Sequence, residues 1–252
     1  MKTDTLFYDL FLTLPETLFQ LLNLPEKLSE SYNFLSQELK QLAKRIDGVF
    51  VPQENNLPIY FVEVQFQEDE NLYYRLFTEI FTYLGQYKPT QNFQAVVIWG
   101  ERSLDLPLPC YYQDFYQQGK LTIIHLDELE YNQSQGIGLG IINLVVANQT
   151  EAKQQVNNLY EVVNQQQLSK TKEKEILELI DKMLVYKFPN YTREELEKMF
   201  NLTDFKKTRF YQDTITEGKL ESVPSLLKLG LSLEQIATAL NLDLELVKKA
   251  AQ

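Results

Sequence analysis

Ile46 to Gln67, IDGVFVPQENNLPIYFVEVQFQ, decides the fold. Two runs rich in Val, Ile, Phe and Tyr flank PQENNLP, whose prolines and asparagines mark a turn, so the stretch predicts a β-hairpin. Symmetric pairing about that turn sets Asp47 directly opposite Glu63. Side chains so opposed have Cβ atoms about 4.5–5.5 Å apart, close enough to share a cation and uncomfortable without one. Alternation along a strand puts Gln65 on the same face as Glu63, with Val62 and Val64 turned the other way.

Outward from the hairpin, Asn71 to Tyr87 carries apolar residues at helical spacing, with Gly85 and Pro89 near its end, and is the clearest helix. Phe93–Trp99, FQAVVIW, is a continuous apolar strand, and Leu121–Leu126, LTIIHL, is another. A β-β-α-β-β order emerges. On the N-terminal side, residues 5–22 predict two short helices or one broken at Pro15 after a Thr13 cap, and Leu28–Leu42 predicts a further helix. Together these elements describe an α/β or α+β domain, a mixed sheet flanked by helices, over residues 1–165.

Residues 149–174 are rich in Gln, Asn, Glu and Lys and read as a polar helix or linker rather than a buried element, marking the domain boundary. Residues 166–252 then form a helical appendage. A helix runs to about Phe188, Pro189 breaks it, and Thr192 caps the next with Glu195 at capping-box spacing. The end reads as helix, Gly230 stop, Ser232 cap, helix, Asn241 stop and Asp243 cap, a helix-turn-helix-like unit. Its last helix offers only Lys248 and Lys249 at the far end, which favours packing or oligomerisation over DNA recognition. KKTRFYQ, with Lys206, Lys207 and Arg209 before Phe210 and Tyr211, is the better basic patch.

Composition bounds the function. The 252 residues are 44% hydrophobic, enough for a full core. Twenty-four Lys and Arg face thirty-five Asp and Glu, a formal charge of -11, so any contact with a polyanion is local. One cysteine, Cys110, excludes an internal disulfide, and with no secretory leader pattern at the start this points to a reducing cytoplasm. No apolar run approaches the roughly 18 residues of a membrane span.

An Asp at one strand end and Glu-x-Gln on the next suit phosphodiester cleavage. Asp47, Glu63 and the Val64 carbonyl form an all-oxygen set for Mg²⁺ or Mn²⁺, and Gln65 would orient water or phosphate. Equally, Gln65 reads as a satisfied core amide. KTDTLFYDLF, RIDGVF and PIYFVEVQFQEDENLYYRLFTEIFTYL together resemble the Rpn family of recombination-promoting nucleases and transposase-like proteins. The resemblance runs from Lys2 to about Trp99 and more loosely to Ile124. It implies a PD-(D/E)XK restriction-endonuclease-like fold and metal-dependent DNA cleavage, with metal roles for Asp47 and Glu63 and an orienting role for Gln65.

Two further residues follow from the resemblance. Asp4 matches the family's N-terminal acid, and Arg75 matches the Arg on the helix after Glu-x-Gln. Arg75, Glu79 and Tyr83 share a helix face, so Arg75 would pair with Glu79 or a phosphate. Gln65 stands where the wider superfamily has a charged Lys, so Arg75 or Lys44 would have to supply that charge. Two functions follow as expectations: a Mg²⁺-dependent DNA endonuclease tied to recombination or mobile elements, or a nuclease fold without cleavage, serving as a nucleic-acid-binding or protein-interaction module. A homodimer is compatible with both. His125, the lone histidine, reads as a satisfied strand residue, and Gly136, Gly138 and Gly140 as a loop or close-packing run rather than a nucleotide loop.

Overall fold

The computed structural model describes residues 3–39, 44–130, 136–166, 168–192, 195–196, 200, 219–220, 222–228 and 231–250. Two compact units divide the chain, Met1–Ser169 and Lys170–Gln252.

The first unit is built on one five-stranded mixed sheet, ordered β1 (Tyr32–Leu39), β2 (Lys44–Pro52), β3 (Ile59–Gln65), β4 (Phe93–Trp99) and β5 (Leu121–His125). The first three strands run antiparallel, and β3, β4 and β5 are parallel. The change of direction follows from the connections. A short turn joins β2 to β3, whereas β3 reaches β4 through a helix, and a parallel neighbour needs such a crossover.

The expected register is found at two pairs, Val49 opposite Phe61 and Phe50 opposite Tyr60, and the ladder ends before Asp47 and Glu63. The helix expected over Leu28–Leu42 is not formed. A 3-10 turn spans Glu26–Ser31, and Tyr32–Leu39 is β1, so the strand order is β-β-β-α-β-β. Aromatic packing outweighs the weak helical pattern there. Phe34 meets Phe50 of β2 at 4.7 Å and Phe11 at 6.0 Å, and a strand delivers it to that face.

Helices cover both faces. α1 (Thr3–Thr13) and α2 (Glu16–Leu21), separated at Leu14 and Pro15, bring Leu6, Leu10, Leu18 and Phe19 to the side holding Phe50 and Tyr60. α3 (Leu72–Tyr87) covers the opposite face, its Leu76, Phe77, Ile80 and Tyr83 packed with Phe61, Ala95, Val97 and Trp99. The short α4 (Gln113–Gln117) precedes β5.

Gly136 to Gly140 open α5 (Ile137–Val146) rather than forming a loop, but the close-packing half of the expectation holds: a Cβ on Gly138 would lie 1.9 Å from the Thr17 Oγ1. α6 (Gln149–Gln165) corrects the reading of a polar segment without buried residues. Ala152, Val156, Leu159 and Val163 form a fully buried stripe at helical spacing, diluted in the sequence by the polar residues of its outer face.

The second unit starts with α7 (Lys170–Lys187), after which Thr192 and Glu195 make the expected reciprocal capping box. α8 (Val223–Lys228), α9 (Leu233–Leu240) and α10 (Leu244–Ala250) enclose a small core of Val223, Ile236, Ala237 and Val247. Ser232 caps α9 through a box with Gln235, Asn241 ends it in the left-handed conformation, and Asp243 accepts from the Glu245 N–H. KKTRFYQ and Gly230 lie outside the described residues.

Candidate functional site

The site is a consequence of where β3 leaves the core. Ile59 to Val62 are buried, whereas Glu63, Val64 and Gln65 are half-buried, so the strand carries its polar residues out at its C-terminal end. Glu63 and Gln65 share the α3 face with Phe61. Beside them, β2 approaches closely because residue 48 is a glycine: a Cβ there would fall 2.5 Å from the Val62 carbonyl oxygen. The pairing of β2 with β3 ends at Val49 and Phe61, and β2 has an irregularity at Asp47 and Gly48, where the pairing with β1 shifts by one residue, so the expected Asp47–Glu63 pair lies two residues beyond the regular ladder. The side chains of Asp4, Lys44 and Asp47 lie outside the described residues.

Arg75, in the first turns of α3, reaches back to this end of the sheet. Its Nη2 donates to Glu63 Oε1 at 2.6 Å, and its Nη1 donates to Asp69 Oδ2. Asp69 also accepts from the Asn71 N–H at 2.9 Å, which ties the loop after β3 to the start of α3. Glu63 and Asp69 are therefore ion-pair partners of Arg75, where helical spacing had pointed to Glu79, itself buried at 9% exposure. Sequence reasoning missed Asp69. It is the middle of three consecutive acids, Glu68 to Glu70, and only the loop's path distinguishes it.

The electrostatics follow from this closed arrangement. Burial works against the Arg75 charge, but the hydrogen bonds and charges of Asp69 and Glu63 outweigh it and hold the guanidinium above its ordinary pKa. For Asp69, burial likewise opposes ionisation, and Arg75 with the Asn71 N–H more than offsets it, holding the carboxyl below the usual range. Gln65 ends the strand, its carbonyl accepting from the Gly100 N–H at 2.9 Å and its backbone paired with Trp99.

The same sheet end carries a second polar group at His125. Its Nε2 lies 2.9 Å from Asp105 Oδ2, and Asp105 Oδ1 accepts from the Tyr73 hydroxyl at 2.8 Å. Nδ1 faces Arg102 Nη1 at 3.3 Å. His125 is thus a partnered strand residue, as its isolation in the sequence suggested.

Hard oxygens make up the nominated metal set, the carboxylates of Asp47 and Glu63 and the carbonyl of Val64, and that chemistry fits Mg²⁺ or Mn²⁺. Among the described residues no three His, Cys, Asp or Glu side chains gather as metal ligands. Among the described residues, too, no helix is long and apolar enough to cross a membrane.

No curated protein and no solved structure matches the chain. A family model described as "Protein of unknown function (DUF2887)" matches residues 3–200, which takes in the whole sheet, the Glu63–Arg75–Asp69 cluster and the start of the second unit. The chain belongs to the DUF2887 family.

Proposed function

We propose that the C-terminal end of β3 is a phosphodiester-cleaving site, and that the protein is a metal-dependent DNA endonuclease of the PD-(D/E)XK type. The observation that supports this reading is a half-buried Glu63 where β3 leaves the core, with Gln65 two residues on and β2 paired alongside at Val49–Phe61, two residues short of Asp47. The mixed sheet with the carboxylate strand at its centre and α3 behind it is consistent with that fold.

In this reading Glu63 and Asp47 hold the cation, the Val64 carbonyl adds a third oxygen, and Gln65 orients water or a phosphate oxygen by hydrogen bonding. The cation, when bound, lowers the pKa of water and offsets charge on the phosphoryl oxygens. Arg75 positions the Glu63 carboxylate. It is also the nearest described cation, so it supplies the fixed positive charge that Gln65 lacks.

A second reading, a nuclease fold acting without cleavage as a binding module, draws on the same ion pairs. Arg75 pairs with both Glu63 and Asp69, so a guanidinium already occupies the carboxylate a metal would use.

Supercoiled plasmid with the full chain separates the two. Nicking or linearisation with Mg²⁺ or Mn²⁺, abolished by EDTA and reduced at least about 100-fold in Asp47→Ala and Glu63→Gln, is the expected outcome. No cleavage, or cleavage indifferent to these substitutions, favours the binding module.

A further inference from the structure

α3 packs an apolar face on the sheet in the ordinary way, but its outer face lacks the charge of a solvent-facing helix. Its two charged residues turn inward, Arg75 to Glu63 and Asp69, and Glu79 to 9% exposure. Its outer stripe is Tyr74, Thr78, Phe81 and Gly85, at spacings of four, three and four residues, all exposed and none charged. Surface helices ordinarily show charge on that face.

The stripe continues into a rigid aromatic platform. Tyr112 and Phe115 stack on Phe77 with ring centroids 4.3 and 5.0 Å away, and Tyr74 meets Tyr112 at 5.8 Å. Tyr74, Phe81 and Tyr111 stand 45%, 47% and 72% exposed. These three rings present roughly 300 Å². That alone is near the largest apolar patch of an ordinary monomer, and a substantial part of the about 800 Å² each partner contributes to a standard interface.

We propose that the outer face of α3 is a self-association surface, and that its occupant is the α3 face of a second copy of this chain. Net charge opposes association of two copies at -11, so they can meet only where neither carries charge, and this stripe is such a place. Shape argues for a second copy as the occupant. Large and small residues alternate, Tyr74 and Phe81 as projections, Thr78 and Gly85 as shallow positions, and a Cβ added at Gly85 would meet nothing within 4 Å. Two such stripes related by a two-fold axis place the rings of one over the small residues of the other, as an isologous interface requires. This inference does not depend on whether the β3 end cleaves DNA.

Sedimentation equilibrium of the full chain across the micromolar range tests it. Thr78→Glu and Gly85→Glu place helix-compatible side chains at exposed positions, so the fold is retained, and each puts charge into the shallow positions of both copies. The expected result is a wild-type dimer whose dissociation constant rises at least about tenfold in each variant, while Gln53→Glu, a control charge in the β2–β3 turn, leaves it unchanged. Circular dichroism spectra and melting midpoints of the variants should not fall below those of the wild-type monomer. A wild-type monomer throughout that range overturns the proposal and leaves the face to another segment or a different protein. A dimer indifferent to both stripe substitutions also overturns it.

Discussion

Arg75 shows how much one side chain decides at this site. Its guanidinium joins the strand that carries Glu63 to the loop that carries Asp69, and both carboxylates are half-buried. Removing it in Arg75→Met leaves two acids without their shared cation, and we expect a cost of about 1–3 kcal/mol in urea denaturation. The pH dependence has a definite sign. Asp69 is held below its ordinary pKa, so its contribution is complete above that ordinary value and disappears as pH falls through the folded one. The difference in urea midpoint between wild type and Asp69→Asn should therefore be constant near neutrality and shrink below about pH 4. A difference unchanged down to pH 2 would show that Asp69 contributes by packing rather than charge. Glu63 and Gln65 were legible in the sequence because strand alternation fixes their face. Asp69 was not, since an acid among acids has no local signature and its role exists only once the loop turns back onto α3.

At the scale of elements, the hairpin was legible because two runs rich in β-branched and aromatic residues flank a turn signal, and α3 because period 3.6 was strong over many residues. β1 was not. YNFLSQEL mixes polar and apolar residues too evenly for either pattern, and its strand form depends on Phe34 packing against Phe50 and Phe11, which are distant in the chain. α6 was misread for the complementary reason: its buried stripe is only one residue in three or four, and a polar outer face dominates its composition. Gly48 is where an element constrains the site. A methyl there would press on the Val62 carbonyl at 2.5 Å, so Gly48→Ala must move β2 away from β3. Overpacking of this kind costs about 1–3 kcal/mol, measurable by chemical denaturation. The spacing between the Asp47 and Glu63 backbones would widen with it.

At the scale of the whole molecule, charge separates this protein from basic nucleic-acid binders. With 35 acidic residues against 24 basic ones, few cations can face a phosphate backbone at once. If the β3 end engages DNA, the fall of log affinity with log salt should be shallow, with a slope of magnitude no more than about 3, read by fluorescence anisotropy of a labelled duplex. A steep slope would locate binding on a basic surface away from this site. The second unit adds three short helices around a small core, the last two of them capped by Ser232 and Asp243, and its last helix brings two lysines, paired in part with Glu245. That composition fits a packing unit better than a groove reader.

By itself the sequence determined the periodic elements, the hairpin register and the shared face of Glu63 and Gln65, because those depend on neighbours a few residues apart. It also determined the helix caps at Thr192 and Ser232, where donor and acceptor are three residues apart. Only the tertiary structure decided that β1 is a strand, that Arg75 pairs across to Glu63 and Asp69, and that the outer face of α3 is left aromatic and uncharged. Each of these is a contact, or the lack of one, set by how the chain turns back between elements rather than by helix or strand periodicity, and no local pattern encodes which surface a side chain will then meet.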